Sequence, residues 1–126
     1  MLPLLKRRAR LLVLDDDPSM QRLVSTLLRR NGHKVDVVSS GSQAIEKLAT
    51  VTYDVLLLDV MTPTEGGLTV IRHLKEAKPA LLKRVVLLTA SPDSVLKAVA
   101  GDVFGIVRKP FEPEELVATI DRVLGE

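Results

Sequence analysis

The sequence predicts an α/β domain, a doubly wound five-stranded parallel sheet of (βα)5 form. Three observations predict it. Five short apolar runs alternate with segments of helical period, the runs are apolar on both faces, and most end in an acidic, hydroxyl or basic residue. The 126 residues fit one domain, and a chain of this size buries roughly two thirds of its unfolded surface. Hydrophobic residues make up 46% of it but include only one Tyr and two Phe, so the core is built from Leu, Val, Ile and Ala.

The first strand is Arg10 to Leu14, which runs into Asp15, Asp16 and Asp17. From Pro18, residues Met20, Leu23, Val24, Leu27 and Leu28 recur at helical spacing and define one apolar face. Asn31-Gly32 stops that helix with residues that tolerate a left-handed backbone. Lys34 to Val38 is the second strand; Ser39 to Ser42 offer caps for a helix with Ala44, Ile45, Leu48 and Ala49 on one side. The third strand, Val55 to Leu58, runs into Asp59 and a loop marked by Pro63, Gly66 and Gly67. A third helix turns Leu68, Ile71 and Leu74 inward. Val85 to Leu88 leads into Thr89, and Asp93 to Ala100 is the fourth helix, after Ser91-Pro92. Phe104 to Val107 is the fifth strand, leading to Lys109-Pro110. The fifth helix opens at Pro113 and carries Leu116, Val117, Ile120, Val123 and Leu124 on one face. No effector domain is expected after it. This is a flavodoxin-like layout with an expected strand order of 2-1-3-4-5.

Composition narrows the function. No cysteine is present, which excludes disulfides, thiol catalysis and cysteine-ligated zinc. No apolar run approaches the roughly 18 residues of a membrane span. At the amino terminus leucines precede Lys6, Arg7 and Arg8, the reverse of a secretory signal, so the expected location is cytoplasmic. Net charge is +2, with four of the 18 basic residues and none of the 16 acidic ones in residues 1–10; the rest therefore holds 14 basic against 16 acidic side chains. Residues 1–8 read as a basic, solvated arm and 9–126 as the folded domain. A basic arm and so few aromatics do not make a nucleic-acid surface, and none is expected.

In a doubly wound sheet, sites form outside the carboxyl ends of the strands, where strand order reverses. The sequence delivers Asp15, Asp16 and Asp17 after the first strand, Asp59 after the third, Thr89 after the fourth and Lys109 after the fifth. Two carboxylates about 4 Å apart repel by roughly 4 kcal/mol at an effective dielectric near 20. One lysine is too little for three such groups, so a divalent cation is the remaining candidate. Oxygen donors alone favour Mg²⁺, or Mn²⁺, over zinc. Mg²⁺ beside a free carboxylate points to phosphoryl chemistry with an aspartate as nucleophile.

Four segments carry a resemblance: Leu12-Val13-Leu14-Asp15-Asp16-Asp17-Pro18, Asp54-Val55-Leu56-Leu57-Leu58-Asp59-Val60-Met61-Thr62-Pro63, Val86-Leu87-Leu88-Thr89-Ala90 and Arg108-Lys109-Pro110-Phe111. In this order and at these separations they resemble bacterial response-regulator receiver domains, and the similarity covers nearly the whole chain after residue 8. The resemblance implies that Asp59 accepts a phosphoryl group from a histidine kinase or a histidine phosphotransfer protein. It implies that Asp16 binds Mg²⁺ directly, Asp15 through a water, and that the backbone carbonyl of Met61 is a further ligand beside Asp59. Lys109 would neutralise the transferring group, Thr89 would hydrogen-bond it, and small Ala90 would leave room for the donor. A cis bond before Pro110 is implied, aiming Lys109 inward. Met61 and Ser91 would govern the lifetime of the phosphoryl group. Output would pass to a downstream protein, or a second copy, through the fourth helix, fifth strand and fifth helix. The sequence departs from the family pattern at Ile106, where an aromatic switch residue is usual, with Phe104 two positions earlier on the same strand face. A second departure is Gly66, where an acidic residue commonly precedes the loop glycine.

Plainer roles compete at several positions. Asp17 reads as the cap of the helix at Pro18. His33 and His73 read as solvated surface residues, Gly66-Gly67 as a turn, and Met20 and Met61 as packing and loop positions. Two other functions stay open. Asp15-x-Asp17-x-Ser19 resembles the opening of haloacid-dehalogenase-like phosphatases, with Asp15 as nucleophile and Asp17 as acid/base; that reading lacks a later acidic pair and leaves Asp59 idle. A degenerate receiver serving only as a docking scaffold is the other.

Overall fold

The computed structural model describes residues 8–60, 66–90 and 96–125. Five parallel strands form one sheet in the order β2-β1-β3-β4-β5: β1 (Arg10–Leu14), β2 (Lys34–Val38), β3 (Val55–Leu58), β4 (Val85–Thr89) and β5 (Gly105–Arg108). Helices α1 (Pro18–Arg30), α2 (Gly41–Thr50), α3 (Gly67–Ala77) and α4 (Pro113–Val123) cover it. Here α4 is the fifth helix of the sequence pattern. The fourth, Asp93 to Ala100, begins among undescribed residues; its described part closes helical turns from Val99 and Ala100 to the Leu96 carbonyl. The arm residues 1–7, Met61, Pro63 and Ser91-Pro92 also lie outside the described residues.

The two-residue period of the strands sorts the core into two layers. Leu12, Leu14, Leu56, Leu58, Val85 and Leu87 meet Ala44 and Leu48 of α2 and Val70, Ile71 and Leu74 of α3. Leu11, Val13, Leu57, Val86, Leu88 and Val107 face the other way, onto Val24 and Leu28 of α1 and Leu116 and Ile120 of α4. Every residue of β3 and β4 is buried, as a strand covered on both faces requires.

Several expectations need correction. The fifth strand is shifted by one residue and leaves Phe104 ahead of it and exposed. A 3₁₀ segment, Pro79–Arg84, intervenes before β4. Leu23 is 51% exposed, the burial of α1 falling on Val24, Ser25 and Leu28 instead. Ala49 is likewise exposed, and Val70 is buried where Leu68 is only partly so. Gly66 and Gly67 open α3: Gly66 caps it and Gly67 is its first residue. His33 is buried, its Nδ1 accepting the Ala9 amide at 3.1 Å, and His73 is half-buried.

Candidate functional site

Strand pairing continues one bond beyond the strands, and this fixes the site. Leu14 pairs with Leu58, and Thr89 with Arg108. The next amides then bond across: Asp15 N–H to the Val38 carbonyl, Asp59 N–H to that of Leu14, and Lys109 N–H to that of Thr89, all at 3.0–3.2 Å. Three functional side chains therefore leave from hydrogen-bonded backbone, Asp15 and Asp59 at the point where strand order reverses and Lys109 from the end of β5.

Asp15 is only 1% exposed, and both its oxygens are engaged. Oδ1 accepts the Asp17 amide at 2.9 Å, and Oδ2 accepts Lys109 Nζ at 2.6 Å. The same ammonium reaches Asp59 Oδ2 at 3.1 Å, and Asp59 is 7% exposed. Burial pushes the Lys109 ammonium down, yet its hydrogen bonds to Asp15 and Asp59, with their charges, outweigh this and hold it above its ordinary value. Asp16 is exposed at the lip of the cleft. Asp17 is a cap, accepting the Ser19 amide at 3.0 Å. Thr89 is fully buried at the end of β4, and Ala90 beyond it is exposed.

One carboxylate oxygen each from Asp15, Asp16 and Asp59 lies within 4.8 Å of the others. Only oxygen donors converge there, with one ammonium against three carboxylates, so the residues fit a hard divalent cation. The expected ligand Met61 is outside the described residues. The Lys109-Pro110 bond is cis, as the resemblance implied.

Two contacts at the site join segments distant in the sequence. Gln21 Nε2 donates to the Asp15 carbonyl and to Ser39 Oγ, tying the acidic turn to the loop after β2. Ser39 in turn donates its amide to Gln43 Oε1 at 2.7 Å. Gly67 donates its amide to the Asp59 carbonyl at 2.8 Å, and a Cβ there would stand 2.9 Å from that oxygen. The approach admits only glycine without a backbone shift.

Residues 11–121 match the Response regulator receiver domain family. The chain is 38% identical over 118 residues to the DNA-binding response regulator MtrA of Mycolicibacterium smegmatis, covering 90% of this chain and 49% of that protein. It is 35% identical over 113 residues to the transcriptional regulatory protein DltR of Streptococcus agalactiae, covering 88% and 50%. The chain thus spans about half the length of the curated relatives it matches. Among solved structures, the response regulator TrrA of Thermotoga maritima, in complex with Mg²⁺-BeF, aligns with a TM-score of 0.81 at 28% identity, covering 90% of this chain and 97% of that one. Among the described residues no helix is long and apolar enough to cross a membrane.

Proposed function

This chain belongs to the response regulator receiver domain family of two-component systems, and on that footing we propose that Asp59 is its phosphoryl acceptor. The observation that carries the reading is the carboxylate of Asp59, buried beside Asp15 and Asp16 and 3.1 Å from the Lys109 ammonium. An Asp59 oxygen attacks the phosphorus of a phosphohistidine; the P–N bond breaks, the imidazole leaves, and an acyl phosphate remains on Asp59. Lys109 pairs with a phosphoryl oxygen and takes up charge that develops during transfer. Thr89 hydrogen-bonds the phosphoryl group from the next strand. The cation is Mg²⁺, with Mn²⁺ as a substitute, held by Asp16, Asp59 and the Met61 carbonyl, with Asp15 acting through a water. When bound it supplies positive charge to the phosphoryl oxygens.

The phosphatase reading gains no support: Asp17, its acid/base, caps α1, and it leaves Asp59 without a role. The donor is a histidine kinase or a histidine phosphotransfer protein in the cytoplasm. Output passes through residues 96–100, β5 and α4 to a downstream protein or a second copy. Ile106, partly buried against the α2–α3 side of the core, stands at the usual aromatic switch position. Incubation with Mg²⁺ and acetyl phosphate at millimolar concentration tests the reading. Uptake of a hydroxylamine-labile phosphoryl group that chelator abolishes is expected. No uptake leaves only the docking-scaffold role.

A further inference from the structure

Of the three clustered carboxylates Asp16 alone is exposed, and no hydrogen bond among the described residues holds its side chain. Its direction is therefore set by the two peptide planes that flank its Cα, since these fix the backbone angles from which the side chain leaves. Both planes are held. The one after Asp16 donates the Asp17 amide to Asp15 Oδ1 at 2.9 Å. The one before it presents the Asp15 carbonyl, which accepts Gln21 Nε2 from α1. Gln21 is itself fixed, because the same amide nitrogen donates to Ser39 Oγ at 3.0 Å. The Ser39 amide donates to Gln43 Oε1 at 2.7 Å, and Gln43 lies in the first turn of α2, its own amide capped by Ser40 Oγ at 3.2 Å. A chain of hydrogen bonds thus runs from α2, through the loop after β2, to the peptide before Asp16. Its side chains are uncharged, so it orients a carboxylate without changing the balance of three carboxylates against one ammonium.

We propose that Gln21 is a positioning residue for the divalent cation. By holding the Asp15–Asp16 peptide it keeps the Asp16 carboxylate turned toward Asp15 and Asp59, and it sets cation affinity without touching the cation. The inference rests on the reading of Asp16 as a metal ligand. Without the Gln21 amide the peptide plane is free to rotate. Asp16, at the exposed lip, then samples directions into solvent, and cation binding has to order it again. Asp59 and Lys109 leave from β3 and β5 and do not depend on this chain, so transfer at saturating cation is unaffected.

Titration of the full chain with Mg²⁺, followed by amide NMR shifts that also report an intact fold, tests the proposal. Gln21→Met keeps the length of the side chain and removes the donor; its Mg²⁺ dissociation constant rises about tenfold. Its phosphoryl uptake at saturating Mg²⁺ stays within about twofold of the wild type. Ser39→Ala, which removes only the far partner of the Gln21 amide, raises the constant by a smaller factor and carries the test if Gln21→Met does not fold. Tyr53→Phe, which loses a part-buried hydrogen bond to Asp36, leaves the constant unchanged and so separates positioning from a general loss of stability. A Gln21→Met chain that binds Mg²⁺ as the wild type does overturns the proposal and leaves the acceptor site standing. So does one whose uptake at saturating Mg²⁺ falls as far as its affinity, or a Tyr53→Phe chain that loses affinity equally. A wild type that binds no Mg²⁺ overturns the reading of the site, and the proposal with it.

Discussion

Toward the amino-terminal edge of the sheet a cation and a carboxylate pair one to one. Asp36 accepts Tyr53 Oη at 2.6 Å and Arg10 Nη2 at 3.1 Å; the Arg10 amide donates to Asp54, and its guanidinium lies 5.8 Å from the centre of the Tyr53 ring. At the carboxyl edge three carboxylates crowd around one ammonium, and two of them are buried. Both use aspartate and a long cation, but in the first Asp36, from the middle of β2, has one cation to itself. A balanced network holds strands in register. An unbalanced one keeps carboxylates desolvated and under mutual repulsion until a cation and a phosphoryl group arrive, which costs stability in the free protein.

Substitutions at the two edges break the comparison in opposite ways. The largest effect falls on Asp59→Asn, which abolishes phosphoryl uptake while Asp36→Asn leaves it at the wild-type rate; uptake of labelled phosphodonor measures both. Lys109→Met slows uptake by about 10²–10³-fold. In chelator it also lowers stability by about 3 kcal/mol, because the buried Asp15 carboxylate loses its partner; denaturant unfolding reads this. Mg²⁺ at a hundred times its dissociation constant stabilises the wild type by about 2.7 kcal/mol, an increment that thermal scans find missing in Asp16→Ala and present in Asp36→Asn.

The smallest effect belongs to the balanced edge. Tyr53→Phe costs about 1 kcal/mol, one part-buried hydrogen bond. The Tyr53 hydroxyl, helped by Arg10 and opposed by burial, holds the Asp36 carboxyl below its ordinary 3.8. A carboxyl lowered in the folded state adds stability above its unfolded value and loses it as pH falls through the folded one. Unfolding curves below about pH 4 show this loss in the wild type and much less of it in Tyr53→Phe.

The sequence exposed most of the sheet because each strand announces itself. Arg10–Leu14, Lys34–Val38 and Val55–Leu58 stand where the apolar runs put them. Asp59, Thr89 and Lys109 were legible as strand-end residues, and a parallel sheet brings strand ends together. What depends on distant segments was not. His33 is buried because Ala9, far away in sequence, bonds its ring, and Gln21 reaches the site only where the loops after β1 and β2 converge. Likewise the contact of Gly67 with the Asp59 carbonyl exists only once the loop closes. Leu23 fits the α1 periodicity and still faces outward, since periodicity identifies a face and not how much of it a neighbour covers.

The most direct measurement locates the acyl phosphate. After phosphorylation with Mg²⁺ and acetyl phosphate, borohydride reduction converts the modified aspartate to homoserine, and peptide mass spectrometry finds its position. Homoserine at position 59, absent from Asp59→Asn, is the predicted result. Homoserine at position 15, retained in Asp59→Asn, would contradict the assignment of the acceptor.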